Sequence, residues 1–422
     1  MPSVRITAIQ EQKLRETIGY VASKSAFYKK RFASLGIAPE SIQTLEDLRK
    51  LPFTTKDDLQ RENTAFFCVP PEKIIDYVTT SGTLGDPVTV VMTERDLERL
   101  ASNECESLRC AGGSEKEIYQ LMTTLDRRFM AGLAYFMGAR KLGAGVVRVG
   151  NGIPELQWDT IQRIQPTTLI AVPSFLLKLL EYAERKGIDP KSSSVKRAVC
   201  IGEPIRNTDF TLNTLGQRIT EQWPLELYST YASTEMAAAF TECAAGKGGH
   251  YQPDLLIAEL IGEDGLAAGP NQLGELVITT LGVEGMPLLR FRTGDMTTMH
   301  TAPCSCGREG MRLGPIQGRK GQMIKYKGTS LYPPALFEVL NMIPEVVNYL
   351  VELTTNTIGT DELLVRIGSY QSGPDMEKQI ADHFRAKLRV APALRFESPE
   401  HIRNEQMPEL SRKPVLFIDK RK

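Results

Sequence analysis

Leu14, Ile18, Val21 and Phe27 recur at helical spacing between charged neighbours, which predicts an amphipathic helix over residues 9–32. Residues 41–51 repeat the pattern weakly. Leu51-Pro52-Phe53, then Thr54 ahead of Lys56-Asp57-Asp58-Leu59, predicts a turn feeding a capped helix. Residues 74–79 and 88–92 are β-rich and flank a Gly-bearing loop, so that loop is expected to join two strands, with a helix following over 94–108. Short β-branched runs at 146–149, 168–172 and 198–201 then alternate with helical patterns at 155–164 and 174–185. Such alternation predicts an α/β fold, a buried parallel sheet with covering helices.

Glycines at 314, 318, 321 and 328 alternate with basic residues, which suits a mobile joint. The boundary is therefore placed at Gly318. A large domain of parallel-rich sheets is expected over 1–318 and a small, mobile α+β domain over 319–422. In the latter, strands are expected at 322–326, 350–353, 363–367 and 415–418, and helices at 334–342 and 376–388.

Composition narrows the class. A chain of 422 residues favours two domains over one core. With 41% hydrophobic and 24% charged residues it is a globular composition. The 51 Lys and Arg balance 51 Asp and Glu, so no net field draws nucleic acid or an anionic membrane, and both are excluded as partners. No run approaches the ~20 apolar residues of a spanning helix, and residues 1–10 lack a basic start followed by an apolar stretch, so a cytoplasmic protein is expected. Seven cysteines, an odd number, favour free thiols or metal ligation over a disulfide framework. Such a chain is compatible with a homodimer.

The loop Thr79-Thr80-Ser81-Gly82-Thr83-Leu84-Gly85-Asp86-Pro87 crowds hydroxyls and glycines into one turn. Glycines let backbone amides approach an anion and the hydroxyls add donors, a phosphate cradle, although an ordinary Gly/Thr hairpin has the same composition. It is not a Walker loop, because the Gly-Lys-Ser/Thr ending is absent. Downstream, Tyr231-Ala232-Ser233-Thr234-Glu235 offers a ring to stack on a base and a carboxylate for Mg²⁺, which favours one or two carboxylates plus substrate phosphates. Tyr231 alone also fits a core aromatic. In Arg292-Thr293-Gly294-Asp295 the carboxylate can accept two ribose hydroxyls or close its own turn.

These runs, with Gly202-Glu203-Pro204 and Gly318-Arg319, stand in the order found in the acyl-adenylate-forming enzymes, and the sequence resembles the phenylacetate-CoA ligases over nearly its whole length. Tyr28, residues 51–59 and Pro173-Ser174 fit that branch. The resemblance implies that a carboxylate attacks Mg·ATP to give an acyl-adenylate, and that coenzyme A then displaces AMP. It implies residues 79–83 around pyrophosphate, Gly202, Glu203, Pro204 and Tyr231 to Thr234 around adenine, Asp295 on the ribose with Arg319 nearby, and Glu235 on Mg²⁺. It also implies that Lys413 bridges the acyl oxygen and the α-phosphate, then withdraws as the small domain rotates about 318–321. Asp86 stands where that family often has lysine, and Gly321 where it has an acidic residue. Ala232 and Ser233 replace a common glycine and a variable residue. Tyr135 and Phe136 fall where the family places its acyl pocket, and core packing suits them equally. The alternatives are an adenylating enzyme with another acceptor, and a non-catalytic zinc-stapled nucleotide module.

Cys243, His250, Cys304 and Cys306 form a second constellation. Three thiols and an imidazole are the ligand set of a closed structural zinc site, and equally a set of free thiols with a surface histidine.

Overall fold

The structure, a computed structural model, describes residues 4–80, 88–327, 329–356, 360–407 and 414–421. Ser81, Gly82, Thr83, Asp86 and Lys413 lie outside the described residues. The chain divides into two compact units: Met1–Thr293 with Thr297–Pro315, and Gly294–Met296 with Ile316–Lys422.

The first unit opens on α1 (Val4–Lys24) and α2 (Ala26–Leu35). The single helix expected over 9–32 is thus two, because Ser25 takes an extended conformation (ψ 121°) and its hydroxyl accepts the Tyr28 N–H, capping a new helix. After α3 (Leu45–Leu48), α4 (Lys56–Arg61) is capped by Thr55, not Thr54. Thr55 and Asp58 form a reciprocal capping box, while the Thr54 hydroxyl is buried against the Leu289 carbonyl at 2.7 Å. β1 (Asp76–Thr79) and β2 (Thr89–Met92) pair antiparallel across the loop, as expected, and feed α5 (Glu94–Cys110).

Then β3 (Ile118–Leu121), α6 (Met130–Leu142), β4 (Gly145–Arg148), α7 (Pro154–Ile164), β5 (Thr168–Ala171), α8 (Pro173–Lys186), β6 (Arg197–Ile201), α9 (Thr214–Gln222), β7 (Glu226–Ser233), β8 (Ala238–Glu242) and β9 (Gly249–His250) follow. Beyond β10 (Leu256–Ile261), β11 (Gly274–Thr280) and β12 (Phe291–Thr297), two short strands, β13 (Met299–His300) and β14 (Arg312–Leu313), return to the first sheet. Its order is β13-β14-β9-β8-β7-β6-β5-β3-β4, with β3 to β7 parallel and the rest antiparallel. Alternation along the central strands sends side chains to opposite faces. Leu169, Ala171, Ala198 and Cys200 join a core under α7, α8 and α9 built on stacked Trp158 and Trp223, 5.0 Å apart. Ile170, Val199 and Ile201 join the opposite core under α5 and α6. Both faces being covered, β5 is buried along its whole length.

In the second unit, β15 (Gly318–Arg319) precedes β16 (Ile324–Tyr326), β17 (Thr329–Leu331), α10 (Pro333–Asn341), β18 (Asn348–Thr355), β19 (Asp361–Gly368), α11 (Pro374–Leu388), β20 (Ala393–Glu397), α12 (Pro399–Gln406) and β21 (Phe417–Asp419). The sheet β20-β19-β18-β21 holds its own core around Leu336, Val351, Val365, Ile380 and Phe384.

Candidate active site

In a parallel sheet the C-terminal ends of the strands share one edge, and α/β proteins bind ligands outside that edge. β3, β5, β6 and β7 are successive parallel neighbours. The segments that leave them, residues 122–129, 172–174, 202–204 and 231–235, therefore gather there.

Gly202 turns the chain after β6 at φ +75°, a conformation that a side chain resists. Glu203 comes next, and its carboxylate accepts the Ser174 N–H and the Ser174 hydroxyl, each at 2.9 Å. It thereby holds the first turn of α8, where free amides favour an anion. Pro204 is half-buried beside it.

At the end of β7, Tyr231 is half-buried with its ring 6.1 Å from Phe240. Ala232 is exposed, and Ser233, Thr234 and Glu235 are half-buried. The turn to β8 is tight: the Met236 N–H donates to the Ser233 hydroxyl at 3.4 Å, and Ala237 takes φ +43°. Arg99, buried on α5, clamps it by donating to the carbonyls of Ala237, Leu281 and Leu255 at 2.7, 2.9 and 2.6 Å. Glu235 is thus presented from a fixed turn.

Thr79 and Thr80 are buried at the base of the Gly/Thr loop. The Thr80 N–H donates to the Val88 carbonyl at 3.0 Å and the Val88 N–H to the Thr80 hydroxyl at 3.1 Å, closing that base. The Thr79 N–H donates to the Arg128 carbonyl at 3.0 Å, which ties the base to the segment after β3. Loop base and strand ends therefore meet at one edge. Arg99, Ser174 as partner of Glu203, and Arg128 as partner of Thr79 were not singled out for these roles in the sequence, since each bond joins residues far apart in the chain.

Of the Arg292 to Asp295 run, Arg292 pairs with Glu275 at 2.6 Å and the Thr293 hydroxyl donates to the Leu276 carbonyl at 2.8 Å. In the second unit, Asp295 and Arg319 face each other across β12 and β15, and Arg319 Nε donates to the buried Asp295 carboxylate at 3.2 Å. Tyr135 lies 3% exposed within the core under α5 and α6, its hydroxyl bonded to Thr230. Phe136 is half-buried, with the Arg148 guanidinium 5.4 Å from its ring centre.

Cys243 follows β8, His250 lies on β9, and Cys304 and Cys306 lie between β13 and β14. All four donor atoms fall within 4.8 Å of one another. Cys243 and Cys304 sulfurs are 3.6 Å apart, and Cys306 Sγ is 3.5 Å from His250 Nε2. A tetrahedron with ~2.3 Å zinc–sulfur and ~2.0 Å zinc–nitrogen bonds has edges of roughly 3.8 and 3.5 Å, so the donor set fits zinc. A disulfide needs sulfurs ~2.05 Å apart, which this pair is not. Burial lowers the His250 imidazole to about 4, holding the neutral form that a metal takes. Its Nδ1 is buried, and no protein group among the described residues supplies the second bond that usually orients a metal-bound imidazole.

The model of the AMP-binding enzyme family matches residues 18–284. The phenylacetate-coenzyme A ligase of Thermus thermophilus is 32% identical over 375 residues, covering 87% of this chain and 82% of that protein. The phenylacetate-coenzyme A ligase of Escherichia coli is 30% identical over 344 residues, 79% of this chain and 75% of that one. A crystal structure of 2-hydroxyisobutyryl-CoA ligase in the postadenylation state, in complex with R3-HIB-AMP, matches 99% of this chain and 90% of its own with a TM-score of 0.85. At 22% identity that likeness speaks for the fold. Among the described residues no helix is long and apolar enough to cross a membrane. The chain belongs to the AMP-binding enzyme family and, within it, groups with the phenylacetate-coenzyme A ligases.

Proposed function

We propose that this chain is an ATP-dependent acid–thiol ligase that adenylates an aromatic carboxylate such as phenylacetate and passes the acyl group to coenzyme A. The observation that carries this is the bond that ties the Thr79 loop base to the segment after β3, at the sheet edge from which the 202–204 and 231–235 segments also leave. In the first step a carboxylate oxygen bonds to the α-phosphorus of ATP, and the bond to pyrophosphate breaks with its electron pair. In the second, the coenzyme A sulfur, having lost its proton to solvent, bonds to the acyl carbon and AMP leaves.

Residues 79–83 would surround the pyrophosphate, and Gly202, Pro204 and Tyr231 the adenine, while Glu203 keeps the 202–204 turn in place through Ser174. Asp295 and Arg319 would serve the ribose. Glu235 would hold Mg²⁺, which when bound adds positive charge at the phosphates. Lys413, on the 319–422 domain, would neutralise the meeting of carboxylate and phosphate and then withdraw. Cys243, His250, Cys304 and Cys306 would hold structural zinc at the end of the β8–β9 pairing, joining it to the connection between β13 and β14. Acid-dependent exchange of labelled pyrophosphate into ATP tests the first step. Exchange stimulated by phenylacetate or a related aryl acid is expected, and its absence with every aromatic acid contradicts the reading.

A further inference from the structure

The phosphate loop of this chain, residues 79–87, contains no lysine or arginine. Asp86 puts a negative charge in the phosphate loop where the resembling family often has lysine. Across the strand-end segments 122–129, 172–174, 202–204 and 231–235, the only lysines and arginines are Arg127 and Arg128. Both are exposed. The two are also the only consecutive non-glycine residues with positive φ among the described residues, at +57° and +56°. Each such residue is strained and persists where the surroundings dictate it.

Those surroundings are visible. The Arg128 carbonyl accepts the Thr79 N–H at the loop base, and the Phe129 N–H donates to the Asp126 carbonyl at 3.2 Å. Gly132 lies so close to the Thr124 carbonyl that a Cβ there would come within 1.9 Å of its oxygen, which packs the segment onto α6. Arg127 has Asp126 within 3.9 Å. The Arg128 guanidinium has no hydrogen-bond or ion-pair partner among the described residues. A strained backbone thus fixes, at the root of the phosphate loop, a residue whose guanidinium is uncommitted.

We propose that Arg128 contacts the phosphates of bound ATP beyond the α position, supplying positive charge there. The inference rests on the ligase reading above. As the carboxylate oxygen bonds to the α-phosphorus, the departing electron pair builds charge on the pyrophosphate oxygens. A guanidinium donates two N–H groups to such oxygens in a fixed fork, which Lys at this position reproduces only as a point charge.

The experiment is calorimetric titration of the full-length protein and of Arg128→Met and Arg128→Lys with Mg·ATP and, separately, with AMP. For Arg128→Met the expected result is a Kd for ATP raised at least tenfold, with the Kd for AMP within twofold of wild type; Arg128→Lys recovers part of the loss. Equal weakening of ATP and AMP would mark a merely structural residue and overturn the proposal, as would unchanged affinity for both. A thermal midpoint matching wild type shows that each variant is folded. If wild-type protein binds no ATP, the ligase reading falls and Arg128 with it; wild-type binding beside an unaffected Arg128→Met removes the Arg128 proposal alone.

Discussion

Glu104 is the residue whose chemistry is most altered by the fold. It sits on α5 facing α6 and is 3% exposed, with Oε1 accepting from Asn103 at 3.1 Å and Oε2 left without a partner among the described residues. Tyr135 packs beside it, and Gly138 approaches its Cβ so closely that no side chain fits there. Burial raises its carboxyl from 4.5 to about 7, against the smaller opposing effect of Asn103. The folded protein therefore keeps a proton that the unfolded chain releases. Stability from this group is full below pH 4.5, is lost as pH rises to about 7, and is flat beyond. That gap corresponds to about 3 kcal/mol. Relative to wild type, Glu104→Gln should gain up to about 3 kcal/mol in urea melts between pH ~5 and pH ~8. Parallel stability curves across that range would show that the carboxyl is not held neutral. Composition and spacing give no hint of this group: Glu94, Arg95, Glu98 and Arg109 of the same helix are exposed, and only close packing against α6 buries Glu104.

The elements were legible where periodicity alone decides them. The strands at 168–171 and 197–201 and the helices at 154–164 and 173–186 match their expectations within a residue or two, because each alternation or stripe is matched by a covering layer. Where a cap decides, the pattern misled: Ser25 splits the opening helix, and Thr55 displaces Thr54 as the cap of α4. Tyr135 and Phe136, the candidate acyl-pocket residues, lie on α6, in which Gly132 and Gly138 let the helix pack against Thr124 and Glu104. At this scale the cysteine and histidine cluster is the feature to test. It joins the short strands β8 and β9 to the connection between β13 and β14, so a metal there should matter to stability. Purified protein should contain about one zinc per chain, and Cys304→Ser should lose it and melt at lower temperature. Stoichiometric zinc retained by Cys304→Ser, or none in wild type, would contradict the assignment.

For the whole molecule, the order of the motifs was readable in one dimension, but their meeting was not. The Thr79–Arg128 and Ser174–Glu203 bonds span 49 and 29 residues and depend on the parallel strand order. Arg128 and Arg99 carry no motif, so only the fold reveals them. Lys413 remains a reading of the sequence. Lys413→Ala should suppress acid-dependent pyrophosphate release far more than thioester formation from supplied acyl-adenylate, and equal loss of both would remove its role. The most direct measurement of the central claim is AMP formation from ATP across a panel of carboxylic acids, with and without coenzyme A, the thioester being identified by mass. The account predicts coenzyme A-dependent AMP release at the highest kcat/KM with an arylacetic or aryl acid, matched mole for mole by its thioester. AMP formed without any thioester, or no AMP with any aryl acid, would contradict it.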